Sequence, residues 1–133
     1  MLKGIIVGHG DFAQALLNTV EKILGKQENV KIISNENQSC ESLSKILEES
    51  INLDKKEEVI IFVDLPGGSC AISCLNLLKT NKNLKILCGV NLPMLIEFFI
   101  LREKYTADEL VPILIKKAKD NITILGGKIE NDR

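Results

Sequence analysis

The one histidine of the chain, His9, stands between two glycines at the end of a short apolar run, Gly4-Ile5-Ile6-Val7-Gly8-His9-Gly10. An imidazole in that setting is a candidate nucleophile or proton carrier, because flanking glycines let the backbone turn sharply and let a second molecule approach the ring. The loops that follow strands in α/β sheets are where such groups collect. A second apolar run, Val59-Ile60-Ile61-Phe62-Val63, ends in Asp64 and continues as Leu65-Pro66-Gly67-Gly68-Ser69. A carboxylate that accepts a hydrogen bond from one ring nitrogen fixes the tautomer and leaves the other nitrogen presented to a reaction partner. Asp64 also reads as an ordinary turn residue closing its strand. Two glycines ahead of a helix expose backbone N–H groups at the positive end of the helix dipole, a setting suited to a small anion such as a phosphoryl group. Ser69 either caps that helix or lends its hydroxyl to the anion, and the two roles are compatible. His9 as acceptor, Asp64 as orienter and Gly67, Gly68 and Ser69 as anion cradle make one coherent constellation.

Bringing these residues together requires a particular arrangement of elements. Apolar runs alternate with helical patterns: a strand over 4–7, a helix behind it, a strand over 30–34, a helix over 39–53, a strand over 59–63, a helix after Ser69 and a strand over 84–88. In the first helix Asp11 and Gln14 look like a capping-box pair, Phe12, Ala15, Leu16, Val20 and Ile23 form the apolar face, and Gly25 is the stop. Leu43, Ile46, Leu47 and Ile51 face inward from the second. A fourth helix carries Pro93 in its first turn, and a fifth opens at Thr106 with Glu109 completing a capping box. Residues 121–125 are β-branched and read as a late C-terminal edge strand ahead of a frayed tail. The expected fold class is α/β, an open and mainly parallel sheet with helices on both faces, flavodoxin-like, in a single domain over 1–133. In such a sheet the first strand lies beside the third where the strand order reverses, so His9 and Asp64 end in one crevice.

Composition excludes several classes. A formal net charge of −1 over 133 residues supplies no basic face for nucleic acid. The longest apolar stretch, 92–101, is broken by Pro93 and Glu97 and falls short of the roughly 18 residues that a membrane span needs. Cys40, Cys70, Cys74 and Cys88 form no C-x-x-C pair and, with no leader-like segment, read as reduced, mostly buried cytoplasmic thiols, so no metal site is expected from them.

With these residues in place the sequence resembles the enzyme IIA component of the mannose-type (mannose, fructose, sorbose) sugar phosphotransferase system. The resemblance covers essentially the whole chain and rests on the Gly4 to Gly10 segment, Leu24-Gly25, Glu28-Asn29-Val30, Val63-Asp64 with Gly67-Gly68-Ser69, and Gly89-Val90-Asn91-Leu92-Pro93-Met94. It implies a cytoplasmic phosphocarrier without cofactor. His9 would accept a phosphoryl group from the phosphocarrier HPr and pass it to a IIB subunit. Asp64 matches the family's aspartate, and Gly67, Gly68 and Ser69 match its glycine-serine loop. Contact with the membrane would be indirect, through IIC and IID subunits. The chain ending at Arg133, no fused IIB domain is expected. One departure stands out: Cys70 occupies a position where the family usually has proline. A thiol in the first turn of a helix can have a lowered pKa and be reactive, or can simply be a small packed residue.

A rival reading takes Gly8-His9-Gly10-Asp11-Phe12-Ala13 as a dinucleotide-binding turn, with Glu36 placed where a ribose-binding acid would sit. That reading leaves the Asp64 loop without a role. A homodimer is also expected, since helix 92–101 is apolar nearly all round and needs cover beyond its sheet-facing side. The resemblance adds that members of the family can exchange a C-terminal strand between subunits, which 121–125 could supply.

Overall fold

The computed structural model describes residues 1–52, 57–81 and 84–127. Its elements run β1 (Lys3–Gly8), α1 (Phe12–Leu24), β2 (Val30–Ser34), α2 (Cys40–Asn52), β3 (Val59–Val63), α3 (Gly68–Leu77), β4 (Lys85–Cys88), α4 (Leu92–Leu101) and α5 (Ala107–Asp120). The four strands form one parallel sheet in the order β2-β1-β3-β4. The fold is thus the expected flavodoxin-like α/β arrangement, with the reversal of strand order between β1 and β3.

Alternation along the strands divides the core in two. Ile6, Ile60 and Phe62 face α1, α4 and α5, whereas Ile5, Val7, Val59, Ile61 and Val63 face α2 and α3. Every residue of β3 is buried, which is why that run lacks polar alternation. Phe98 from α4 packs edge-on against Phe62 at 5.0 Å between ring centroids. It comes so close to β1 that a Cβ on Gly4 would lie 2.9 Å from its ring, so a glycine is needed there.

Three expectations change. The apolar face of α1 is Ala13, Leu17 and Val20, while Phe12, Ala15 and Ile23 are exposed and Leu16 is only partly covered. The chain has more apolar residues in this helix than the sheet can cover. Phe12 instead turns toward the β1 end, where its ring stands 3.2 Å from the place a Cβ on Gly8 would take. Asp11 makes no side-chain cap, because its φ of −94° and ψ of 6° are not the extended conformation that aims a side chain back at the first turn. The 121–125 segment forms no strand in this chain: Ile122, Ile124 and Leu125 are exposed at 79%, 73% and 98% and pair with no edge.

Helix α4 finds its cover inside the chain. Met94, Leu95, Phe98 and Phe99 are buried in the cluster that contains Leu17, Leu110 and Leu114, so α1 and α5 do what a second subunit was expected to do. Of its large apolar side chains only Ile100 is exposed. Asn91 caps this helix by accepting from the Met94 N–H, and Thr106 with Glu109 forms the expected capping box on α5.

Candidate functional site

The C-terminal ends of β1 and β3 deliver His9 and Asp64 to one point, as the register Val7↔Val63 requires. Asp64 Oδ2 accepts from the His9 backbone N–H at 2.8 Å and faces His9 Nδ1 at 2.7 Å. Its other oxygen accepts the Leu65 N–H at 2.9 Å. Burial alone would push the Asp64 carboxyl up, but the bonds from the His9 ring and backbone, the His9 charge and the Leu65 N–H outweigh it and hold the pKa below its ordinary 3.8. The ionised carboxylate only accepts, so a neutral ring carries its proton on Nδ1 and its free lone pair on Nε2. His9 remains accessible, its side chain 44% exposed against 11% for Asp64.

Gly68 lies against that free nitrogen. A Cβ placed on it would stand 3.5 Å from His9 Cε1 and 3.6 Å from Nε2, and its φ of +88° is one that only glycine adopts without strain. Gly67 is the N-cap of α3, and no side chain caps that helix. Of the two roles open to Ser69, capping is therefore not the one found: it lies inside the first turn, and its Oγ accepts from Asn35 Nδ2 at 3.4 Å. The uncapped first turn of α3, with its unpaired positive end, faces the imidazole across Gly68.

Two residues of this site escaped the sequence reading. Ser34 Oγ donates to the Gly10 carbonyl at 2.9 Å, and Asn35 Oδ1 accepts the Gly10 N–H at 3.3 Å. Asn35 thus bridges the His9 turn to Ser69 on α3. The available signal was positional: Ser34 ends β2 and pairs with Gly8, and Asn35 follows it, so both had to arrive beside the histidine turn. Glu36, the acid that a dinucleotide-binding turn would use, is exposed. The turn itself leaves little for a dinucleotide, since the N–H groups of His9, Gly10 and Phe12 already donate to Asp64, Asn35 and the His9 carbonyl.

The thiols also differ from expectation. Cys70 and Cys74 are buried but Cys40 and Cys88 are exposed. Cys70 is not an activated thiol: burial first, then the Asp64 charge, push its pKa up despite the hydrogen bond from Ser69. Burial pushes Cys74 further, to about 12. Cys70 Sγ nevertheless stands 3.9 Å from His9 Nδ1, and His9, Asp64 and Cys70 are a set of potential metal ligands among the described residues.

Comparison with known proteins decides the family. Residues 3–115 match the EIIA-man family, "PTS system fructose IIA component". The chain belongs to this family. It is 32% identical over 133 residues to the mannose-specific EIIAB component of the phosphotransferase system (PTS) of Escherichia coli, covering 96% of this chain and 41% of that protein. The chain therefore spans less than half the length of these EIIAB relatives. The fructose-specific EIIA component of Bacillus subtilis is 25% identical, with 98% and 90% of the two chains covered. The crystal structure of a phosphotransferase system component EIIA from Streptococcus agalactiae superposes with a TM-score of 0.86 at 32% identity, covering 93% of this chain and 97% of that one. This protein is a IIA component of the mannose type, and among its described residues no helix is long and apolar enough to cross a membrane.

Proposed function

We propose that this IIA component is a cytoplasmic phosphocarrier that takes a phosphoryl group from phospho-HPr onto His9 Nε2 and passes it to a IIB subunit during sugar uptake. The observation that carries this reading is the double use of Asp64 Oδ2 by the His9 backbone and ring, which leaves Nε2 bare beside Gly68.

In the forward step the Nε2 lone pair forms a bond to phosphorus as the bond from phosphorus to the donor's nitrogen breaks. No proton has to leave Nε2, and the Nδ1 proton stays on the ring. The positive charge that develops on the imidazole falls against the Asp64 carboxylate. The phosphoryl oxygens meet the backbone N–H groups of the Gly67-Gly68-Ser69 turn. Phosphoryl transfer through a loose transition state needs positioning and charge stabilisation more than covalent assistance, so these groups suffice without a metal. The half-exposed ring suits a donor and an acceptor that are themselves proteins. Phe12 and Leu65, both exposed beside it, offer apolar contact to either.

The test is incubation with phosphoenolpyruvate, enzyme I and HPr, read by intact-protein mass spectrometry. The parent should gain one acid-labile phosphoryl group, and His9→Ala should gain none. Undiminished phosphorylation of His9→Ala would overturn the assignment.

Dimerisation belongs to the same reading, and its support is the tail, since α4 is covered within the chain. Three exposed apolar side chains on an unpaired segment over 121–125 are what an exchanged edge strand would present to a second copy. Removing residues 121–133 should lower the sedimenting mass from dimer to monomer. An unchanged dimer would rule the exchange out.

A further inference from the structure

We propose that His9, Asp64 and Cys70 form a three-ligand site for a thiophilic divalent transition-metal ion of the zinc class, and that the bound ion switches off phosphoryl acceptance. The second half rests on the phosphocarrier reading; the first does not.

The ligand atoms, one from each residue, all lie within 4.8 Å of one another. Nδ1 is 3.9 Å from Cys70 Sγ and 2.7 Å from Asp64 Oδ2. Metal–sulfur and metal–nitrogen bonds of about 2.3 and 2.0 Å at tetrahedral angles set sulfur and nitrogen roughly 3.5 Å apart, so the observed N···S span is near that of a zinc site. To reach tetrahedral spacing the N···O pair has to open by roughly half an ångström, and the S···O pair, within 4.8 Å, has to settle at roughly 3.5 Å. The half-exposed His9 side chain can supply that movement, and its accessible side leaves a fourth position for water. One neutral imidazole, one carboxylate and one thiolate offset the ion's charge. The three residues come from the ends of β1 and β3 and the start of α3, so the ion would add a direct link between elements that already share one apolar cluster. The reaction gives the Cys70 thiol no task.

Binding has a defined proton balance. The ion takes the place of the Nδ1 proton, which moves through solvent to Nε2, and the Cys70 thiol gives up its proton to solvent on coordination, so one proton is released per ion. Nε2 then carries hydrogen and has no lone pair for phosphorus. Occupancy and phosphorylation exclude each other.

The probe is Co²⁺ added to metal-free protein. One equivalent should produce a thiolate-to-cobalt charge-transfer band that equimolar Zn²⁺ abolishes. Cys70→Ser should lose the band and bind at least about tenfold more weakly, since loss of even an outer-shell partner has effects on that scale. Cys40→Ser and Cys88→Ser should keep it. Cys70→Ala, checked by its thermal melt, provides a second variant if the serine perturbs folding. One equivalent of Zn²⁺ should suppress phosphorylation of the parent and leave Cys70→Ser phosphorylated as in chelator. Absence of the band, or a band that survives Cys70→Ser, overturns the site. Binding without loss of phosphorylation overturns the switch. A parent that takes no phosphate even in chelator breaks the phosphocarrier reading instead, while the cobalt spectrum still decides the site.

Discussion

A cationic or potentially cationic side chain lies toward each end of the sheet, Arg102 at one and His9 at the other, and the fold treats the two in opposite ways. At the N-terminal end Arg102 is only 5% exposed, and its guanidinium donates to the carbonyls of Leu2, Glu28 and Asn29. Phe98 and Phe99 lie against it, the nearer ring centroid at 4.9 Å. Its hydrogen-bonding capacity is directed into the protein, where it closes the loops that enter β1 and β2. At the C-terminal end His9 has one nitrogen committed to Asp64 and the other uncommitted. A polar group satisfied on all sides holds a fold, and a group satisfied on one side only is available for chemistry.

The largest effect is expected where the half-committed state is removed. Asp64→Asn should fold, yet transfer to IIB should slow by about two to four orders of magnitude, since an amide can hold either ring tautomer and offers no charge to the developing cation. Transfer at the parent rate would break the comparison. The same residue fixes an acid limb. Its lowered pKa means that its contribution to stability is fully present above 3.8 and is lost as pH falls from there through the lower native value. The parent should therefore be more stable than Asp64→Asn near neutrality and lose that advantage in acid titrations followed by circular dichroism. Between pH 5 and 9 the carboxylate does not titrate, so no limb of the transfer profile there should vanish in the variant.

At the opposite end Arg102→Met should cost about 2–4 kcal/mol of stability in urea unfolding, because three carbonyls lose a charged donor in a buried setting. Phosphoryl acceptance per folded molecule should not change. If it fell tenfold in fully folded protein, the two ends would be coupled and the division between holding and reacting would be wrong.

The difference in legibility between the ends has the same cause. His9, Asp64 and the Gly67-Gly68-Ser69 turn could be read because apolar runs fix strand ends, and the order of a doubly wound sheet fixes which ends meet. Arg102 gave no such signal, since nothing in a helix-end arginine tells which carbonyls it will reach. Asn35 was missed for a related reason. Its partners, Gly10 and Ser69, lie on other elements, and only the β1–β2 register brings them within reach. The α1 face differs, and 121–125 forms no strand within this chain, because apolar content does not by itself give burial. A helix with surplus apolar residues leaves some outside, and β-branched composition does not supply a strand with a partner.

A smaller effect is expected at Gly68. Gly68→Ala faces only ordinary contact with the His9 ring, but alanine at a φ of +88° is strained by about 1–2 kcal/mol. The first turn of α3 should relieve that strain by shifting, which moves the N–H groups proposed to receive the phosphoryl oxygens. Transfer should slow about tenfold, with a melting temperature lowered by a few degrees. A variant that lost stability alone would show that the turn shapes the helix and does not serve the phosphoryl group.

The smallest change tests whether the site is one unit or two. Asn35 touches neither ring nitrogen, yet it holds the Gly10 N–H with one end of its amide and the Ser69 hydroxyl with the other. Both bonds are long, at 3.3 and 3.4 Å, and the residue is partly exposed, so Asn35→Ala should cost less than about 1 kcal/mol of stability. If the acceptor and the cradle are kept in register through this amide, transfer should slow by about three- to tenfold, and Asn35→Asp should not restore it, because a carboxylate cannot donate to Ser69 and adds negative charge near the phosphoryl oxygens. The Asn35→Ala defect should also shrink in the Gly68→Ala background, where the cradle has already moved, giving a non-additive double-mutant cycle. Strict additivity would mean that the β1 turn and the α3 turn are positioned independently, each by its own strand end, and that Asn35 is only a surface hydrogen bond.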